Sequence, residues 1–270
     1  MTTVETAAAR SILTPTGGFL DSFDYSLNPY SGCAFGCSYC YAAGWVYDRD
    51  LRERWGRWLR VKANAAELLE KAGRQGKLAG RRIYMSSVTD PYQPQERRSG
   101  ITHACLEVMC RYPPALLVVQ TRSPLVVRDI DLLQQLGGNA LVAMSITTDD
   151  EAVRRVLEPS CAPIADRLAA IHRVREAGIR TQASVAPLLP CNPERLAELL
   201  DGAVDRVVVS TFTDDGGAGS KTRASAYQLY QEHGWAGRWL AAGYEQPVVD
   251  VLKVRLGDAV TAGRAGFNAA

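Results

Sequence analysis

No stretch of this sequence is apolar for long enough to cross a bilayer. The longest apolar runs, such as residues 140–144, fall far short of the roughly 20 residues that a spanning helix needs. No basic segment followed by an apolar one opens the chain, so no secretory signal is expected. An excess of one charge sign is also missing: 31 Lys and Arg against 29 Asp and Glu leave a net charge of +2, too weak a field to imply a nucleic-acid or membrane partner by itself. No repeat recurs at a fixed period. The cysteines number seven, and an odd count without a signal argues against a disulfide framework and for a reducing, cytoplasmic setting. With 47% hydrophobic and 22% charged residues, the composition excludes a disordered tail, a collagen-like fibre and a coiled coil.

What the chain does contain is alternation. β-Rich apolar runs fall at 83–85, 116–120, 141–146, 181–185 and 207–210, after a short strand near Phe23 that ends at Asn28-Pro29. Helical patterns separate them: 64–72 with Asn64 as N-cap, 101–111, 126–136, 164–177, and one from Pro193 to near Gly202. Strands alternating with helices imply parallel pairing and right-handed crossovers. Six such units suit a partial (β/α)6 barrel of the TIM type, an α/β fold with its site at the C-terminal ends of the strands. The barrel is expected over residues 1–215. Two helical patterns, 224–242 and 247–262, are expected to form a C-terminal helical cap over 216–270.

Three of the cysteines, Cys33, Cys37 and Cys40, form a C-x3-C-x2-C run directly after the first expected strand. Thiolates are soft ligands suited to zinc or to iron–sulfur clusters. A structural zinc site needs four ligands, and the next candidates, His103 and Cys105, lie more than 60 residues on. A cubane held by three cysteines leaves one iron free for a small molecule, which favours a catalytic cluster over an electron-transfer one. The non-catalytic alternative is a zinc-binding module that borrows a remote ligand such as His103 or Cys105.

The run, with Tyr39 inside it, resembles the signature of the radical S-adenosylmethionine (SAM) superfamily. Further blocks are similar to the spore photoproduct lyase-like group: Ser26-Leu27-Asn28-Pro29-Tyr30-Ser31-Gly32-Cys33, Ser86-Ser87-Val88-Thr89-Asp90-Pro91-Tyr92-Gln93-Pro94, Thr121-Arg122-Ser123-Pro124-Leu125, Ser145-Ile146-Thr147-Thr148, Leu157-Glu158-Pro159 and Val185-Ala186-Pro187-Leu188. The resemblance covers about residues 10–215. It implies a [4Fe–4S] cluster on Cys33, Cys37 and Cys40, with SAM on the open iron. It also implies reductive cleavage of SAM to a 5′-deoxyadenosyl radical that takes hydrogen from a substrate. A one-electron donor of the flavodoxin or ferredoxin kind is implied as partner.

SAM needs donors, acceptors and a flat apolar slot, and such residues follow the expected strands: Ser87, Thr89 and Asp90, then Arg122, then Ser145 and Thr147, then Ala186. By the same resemblance Tyr39, Thr89, Arg122, Ser145, Thr147 and Ala186 match cofactor-binding positions, with Arg122 where the group carries a lysine. Tyr39 and Tyr41 match tyrosines that help return a hydrogen atom to the product. The cysteine that works with them is replaced here by Ser87, whose O–H bond is too strong to make a good hydrogen donor. Cys191, after the last apolar strand-end segment, is a substitute donor or an unrelated thiol. The substrate implied is either a nucleic-acid lesion, after the group's name, or a small metabolite, nucleoside or peptide. The latter is favoured by Ser87 and by an N-terminus shorter than that of the DNA-repair members.

Two weaker signals remain. Residues 48–62 carry Arg49, Arg52, Arg54, Arg57, Arg60 and Lys62, and Trp45, Tyr47, Trp55 and Trp58 fall just before and among them. That mixture suits nucleic acid, although Trp55 and Trp58 at i, i+3 equally suit a helix that packs its aromatics. Residues 214–222 are Gly-rich but lack the glycine before the lysine that a phosphate loop requires, so a flexible loop is expected.

Overall fold

A computed structural model describes residues 2–211 and 220–270, the side chains of 220–225 excepted. Six parallel strands form its centre: β1 (Tyr25–Leu27), β2 (Arg82–Met85), β3 (Leu116–Thr121), β4 (Ala140–Ser145), β5 (Arg180–Val185) and β6 (Arg206–Val209). They lie side by side in chain order. This is the expected partial barrel. The sheet has eight strands, because Leu13–Pro15 pairs antiparallel with β1 and β7 (Val260–Ala262) pairs parallel with β6.

Each strand splits its residues by parity. Ile83, Met85, Leu117, Val119, Val142, Met144, Val207 and Val209 join the large core between sheet and helices. Phe23, Tyr84, Leu116, Val118, Leu141 and Ala143 form a second apolar cluster on the other face, the barrel interior. Towards the strand ends the same parity carries polar residues. Gln120 accepts from the Tyr84 hydroxyl and from Ser184 Oγ, each at 2.9 Å, and donates to Ser145 Oγ at 2.9 Å. The interior is therefore apolar below and hydrogen-bonding near the C-terminal rim.

The crossover helices are α1 (Ala65–Arg74), α2 (Ile101–Arg111), α3 (Ile130–Leu136), α4 (Glu151–Leu157), α5 (Ile164–Glu176) and α6 (Pro193–Leu200). Asn192 caps α6 through Arg195 N–H at 2.8 Å, and Asp150 caps α4 through Ala152 N–H at 2.7 Å. Asn64 precedes α1 but is not its side-chain cap; it exchanges two hydrogen bonds with the backbone of Ala9, at 2.7 and 3.0 Å. The pattern at 126–136 resolves into a 3-10 turn, Pro124–Asp129, and then α3.

Two segments differ more. The stretch 48–62 is not one helix: a short helix, Arg49–Glu53, gives way to a strand, Trp58–Lys62. That strand pairs with Thr3–Ala7 and Tyr30–Ser31 in a separate three-stranded sheet. Alternation at Leu59 and Val61 won over the aromatic i, i+3 spacing, and Trp58 is buried. Trp45 and Tyr47 stay exposed, at 61% and 101%. At the C-terminus the helical pattern expected over 247–262 is a helix, Gln246–Leu256, followed by the sheet strand β7, so the terminal segment contributes a strand to the barrel sheet. A helix, Ser220–Glu232, precedes it. Residues 214–219 of the Gly-rich segment, and with them the expected boundary at 215/216, lie outside the described residues. Among the described residues no helix is long and apolar enough to cross a membrane.

Candidate active site

The cysteine loop leaves β1 through Asn28-Pro29 and the short strand Tyr30–Ser31, and ends where Cys40 precedes the helical turn Tyr41–Gly44. It is pinned on two sides. Ala34 N–H donates to Gln93 Oε1 at 2.9 Å, Gln93 Nε2 donates to Thr89 Oγ1 at 3.2 Å, and Thr89 Oγ1 donates to Gly32 O at 2.5 Å. On the other side Ser38 N–H donates to Leu157 O at 3.0 Å. Gly36 is in the left-handed region, at φ +55°, and a Cβ there would meet Gly56 Cα at 2.8 Å. Only glycine allows that crossing of backbones. Thr89, expected at the cofactor, thus braces the loop that carries the thiols.

The ends of β3 and β4 meet this loop through one buried cluster. Arg122 Nη1 donates to Cys37 Sγ at 3.0 Å, to the Tyr39 hydroxyl oxygen at 2.8 Å and to Glu158 Oε1 at 2.9 Å. Thr147 Oγ1 donates to the same carboxylate oxygen at 2.9 Å, and the Tyr39 hydroxyl donates to it as well. On the other oxygen Arg167 Nη2 forms an ion pair at 2.6 Å. Asp90 fixes the base of Arg122, accepting from its backbone N–H at 2.8 Å and from Thr121 Oγ1 at 2.7 Å. Burial opposes ionisation of Glu158, yet Arg167 and Arg122 outweigh it and bring its pKa down to about 2.

Cys33 and Cys37 are buried and Cys40 partly so, and all are free thiols. Burial, with Asp90 nearby, pushes the Cys33 thiol up. Burial likewise raises Cys40 to about 11. Cys37 alone is lowered, by the Cys161 thiol in hydrogen-bond contact and, against burial, by Arg122. Three soft ligands on one short loop beside a fixed guanidinium fit an anionic iron–sulfur group: the donors are thiols and the adjacent charge is positive. The proposed zinc ligands do not join them. His103 Nδ1 is paired with Asp129 Oδ1 at 2.8 Å, and Cys105 is buried in α2 near Glu96 and Lys62. Among the described residues no three His, Cys, Asp or Glu side chains converge as they would on a single ion.

The remaining expected residues divide. Ser145 Oγ accepts from Gln120, which leaves its own hydrogen free for another acceptor, and its carbonyl accepts from Arg167 Nη1 at 3.1 Å. The Tyr41 hydroxyl donates to Ser87 O, while Ser87 Oγ accepts from Asn28 Nδ2 at 3.4 Å. Tyr41 and Ser87 therefore do adjoin. Ala186 follows β5 at the rim. Cys191 does not join the cluster. Burial raises its pKa to about 12, and the charges acting on it are Asp149, Arg238 and Glu194. Sequence reasoning did not single out Glu158, Arg167, Gln93, Gln120 or Cys161 as site residues; the Cys161 sulfur is 3.7 Å from that of Cys37.

A thiol triad at the first strand end of a partial barrel, with polar side chains on the next strand ends, is the layout of one enzyme class. Residues 27–203 match the radical SAM superfamily, and the chain belongs to that family. Membership implies SAM and an iron–sulfur cluster as cofactors. Among curated relatives, an uncharacterised protein of Methanocaldococcus jannaschii is 32% identical over 169 residues, 62% of this chain and 61% of its own length. One from Acidianus two-tailed virus, also uncharacterised, is 29% identical over 203 residues, 68% of this chain and 65% of its own. The chain thus spans less than two thirds of either relative. A structure of spore photoproduct lyase complexed with dinucleoside spore photoproduct superposes with a TM-score of 0.66 at 16% identity, covering 96% of this chain and 81% of that one. Streptococcus suis SuiB bound to precursor peptide SuiA gives 0.50 at 15% identity, over 79% and 47%. The fold is that of spore photoproduct lyase.

Proposed function

We propose that this chain cleaves SAM reductively on a [4Fe–4S] cluster held by Cys33, Cys37 and Cys40, and uses the product radical to take a hydrogen atom from a substrate carbon. The observation that carries the reading is the Arg122 guanidinium, 3.0 Å from Cys37 Sγ and held by Glu158. It is a fixed cation at the edge of the thiol triad, suited to the SAM carboxylate. A cluster held by these thiols would pass one electron, from a flavodoxin- or ferredoxin-like donor, to SAM, which would give methionine and a 5′-deoxyadenosyl radical. The chain's part is to hold and exclude. Arg122 binds the carboxylate, Ser145 offers its hydroxyl hydrogen, and Thr147 and Tyr39 brace the carboxylate that aims Arg122. Ala186, partly buried directly after β5, is the position assigned to the adenine, and the hydrogen-bonded strand ends exclude water from the radical. We assign residues 216–270 to an extension of the barrel, a reading supported by β7 alongside β6.

Substrate class is the finer question. The spore photoproduct lyase structure holds a dinucleoside spore photoproduct, and the SuiB structure holds a precursor peptide. Ser87 at the Tyr41 contact supports a metabolite or peptide tailoring reaction over lesion reversal: the thiol next to Tyr41 is Cys40, which the cluster would occupy, and the position facing Tyr41 carries a hydroxyl. The test is anaerobic reconstitution followed by reduction with dithionite in the presence of SAM. Formation of 5′-deoxyadenosine that disappears in Cys33→Ala is the expected result, and its absence from the cluster-loaded wild type refutes the reading.

A further inference from the structure

We propose that Glu158, on the turn after α4, is the positioning residue of this site: its carboxylate aims the Arg122 guanidinium at the cysteine loop for the carboxylate of SAM. The inference rests on the radical SAM reading above.

The geometry is convergent. Glu158 has no exposed side-chain surface, and Arg122 keeps 17% of its own. The end of β3 contributes Arg122, the loop after β4 contributes Thr147, the cysteine loop contributes Tyr39 and α5 contributes Arg167, and all four meet one carboxylate. Arg167, itself 1% exposed, also donates to Ser145 O at 3.1 Å and to Ala162 O at 2.9 Å. It is therefore fixed independently of Arg122.

Charge decides what the carboxylate is for. At the guanidinium ends, two buried arginines and one carboxylate sum to a single positive charge; the buried Asp90 carboxylate binds the backbone N–H of Arg122 rather than its guanidinium. Arg167 already compensates Glu158 at 2.6 Å through Oε2. A carboxylate needed only to neutralise one buried arginine would be satisfied there. Its other oxygen instead takes Arg122, Thr147 and Tyr39 together, so Arg122 is oriented without being neutralised. What remains is a largely desolvated cation aimed at the thiols, which is the requirement for capturing an anion at that edge. Without Glu158 the two guanidiniums would repel, and Arg122 would be free to swing toward solvent.

The test uses the cluster-loaded enzyme with Glu158→Gln and Glu158→Asp, reading SAM affinity by equilibrium dialysis beside iron content and near-UV circular dichroism. Glu158→Gln should keep iron and tertiary signal while SAM binding weakens about tenfold or more, the usual scale for losing a charge-assisted hydrogen bond. Glu158→Asp should recover most of that loss. Lost iron or tertiary signal with unchanged SAM affinity in the loaded fraction overturns the proposal. Should Glu158→Gln fail to fold, Glu158→Gln with Arg167→Met removes both buried charges together; the same weakening supports the proposal and wild-type affinity overturns it. Combined with Arg122→Lys, Glu158→Gln should add nothing further to the loss, and full additivity counts against it. A loaded wild type that neither binds nor cleaves SAM refutes the reading beneath. A wild type that does both while Glu158→Gln binds equally well refutes this proposal alone.

Discussion

The sulfur of Cys161 lies 3.7 Å from that of Cys37, so a fourth thiol touches the cysteine loop from a distant part of the chain. Thiolates on one zinc, each about 2.3 Å from the metal, stand about 3.8 Å apart, so this pair has the spacing of one tetrahedron edge. No third ligand side chain among the described residues completes it. Ligands of a cubane bind separate irons at separate corners, and Cys161 is too close to Cys37 to hold a corner of its own. Cys161→Ser is therefore expected to keep about four irons per chain and to cleave SAM, while Cys37→Ser loses both. Equal iron loss in the two variants would make Cys161 a ligand. Iron analysis after anaerobic reconstitution decides it.

Gly36 carries the crossing of the cysteine loop over Gly56. With φ at +55° and Gly56 Cα 2.8 Å from where a Cβ would stand, Gly36→Ala strains the backbone and forces two chain segments apart. A loss of roughly 1–3 kcal/mol is expected in urea unfolding, with reduced iron uptake. Gly76→Ala is the control for left-handed backbone strain alone, because a Cβ there meets nothing within 4 Å.

Acid should act through Glu158. Its pKa is depressed from 4.5 to about 2 in the folded chain, burial opposing and Arg167 and Arg122 prevailing. The sign follows: this contribution is fully present above about pH 4.5 and is lost as pH falls toward 2. Wild type and Glu158→Gln should therefore differ most in stability near neutrality and converge on acidification through that window. A difference independent of pH between 5 and 2, measured by denaturant unfolding of the cluster-free proteins, would show that the carboxylate's charge is not what stabilises.

Arg167→Met leaves Glu158 buried with one arginine instead of two. Breaking a buried pair from one side costs about 3–5 kcal/mol, so the variant should unfold at markedly lower urea. A loss under about 1 kcal/mol, the range of surface pairs, would mean that Arg122 alone satisfies the carboxylate.

The parts of this molecule legible in its sequence are those where one local pattern carries the meaning. Short apolar, β-rich runs at 83–85, 116–120 and 181–185 located strands because a parallel sheet covered on both faces buries both sides of each strand. The C-x3-C-x2-C spacing located the thiols, and strand ends located Arg122, Ser145 and Thr147. Trp58 reads as helical from its i, i+3 spacing with Trp55, whereas Trp58–Lys62 is a strand because it buries Leu59 and Val61 and pairs with Thr3–Ala7. Glu158 was visible only as part of a quoted block, since its partners Tyr39, Arg122 and Arg167 are spread along the chain and no periodicity connects them. Gln93 likewise acts across a fold contact, on Ala34. Strand β7 escaped because three residues after a helix carry too little pattern to stand apart.

Electron paramagnetic resonance of the reduced, reconstituted protein with and without SAM tests the central claim most directly, because only a cluster with an iron open to the cofactor changes its signal when SAM arrives. The expected result is a [4Fe–4S]-type spectrum that shifts on adding SAM, in a wild type carrying Cys33, Cys37 and Cys40, and does so more weakly in Arg122→Ala. A spectrum indifferent to SAM, or a silent protein holding one zinc, would contradict it.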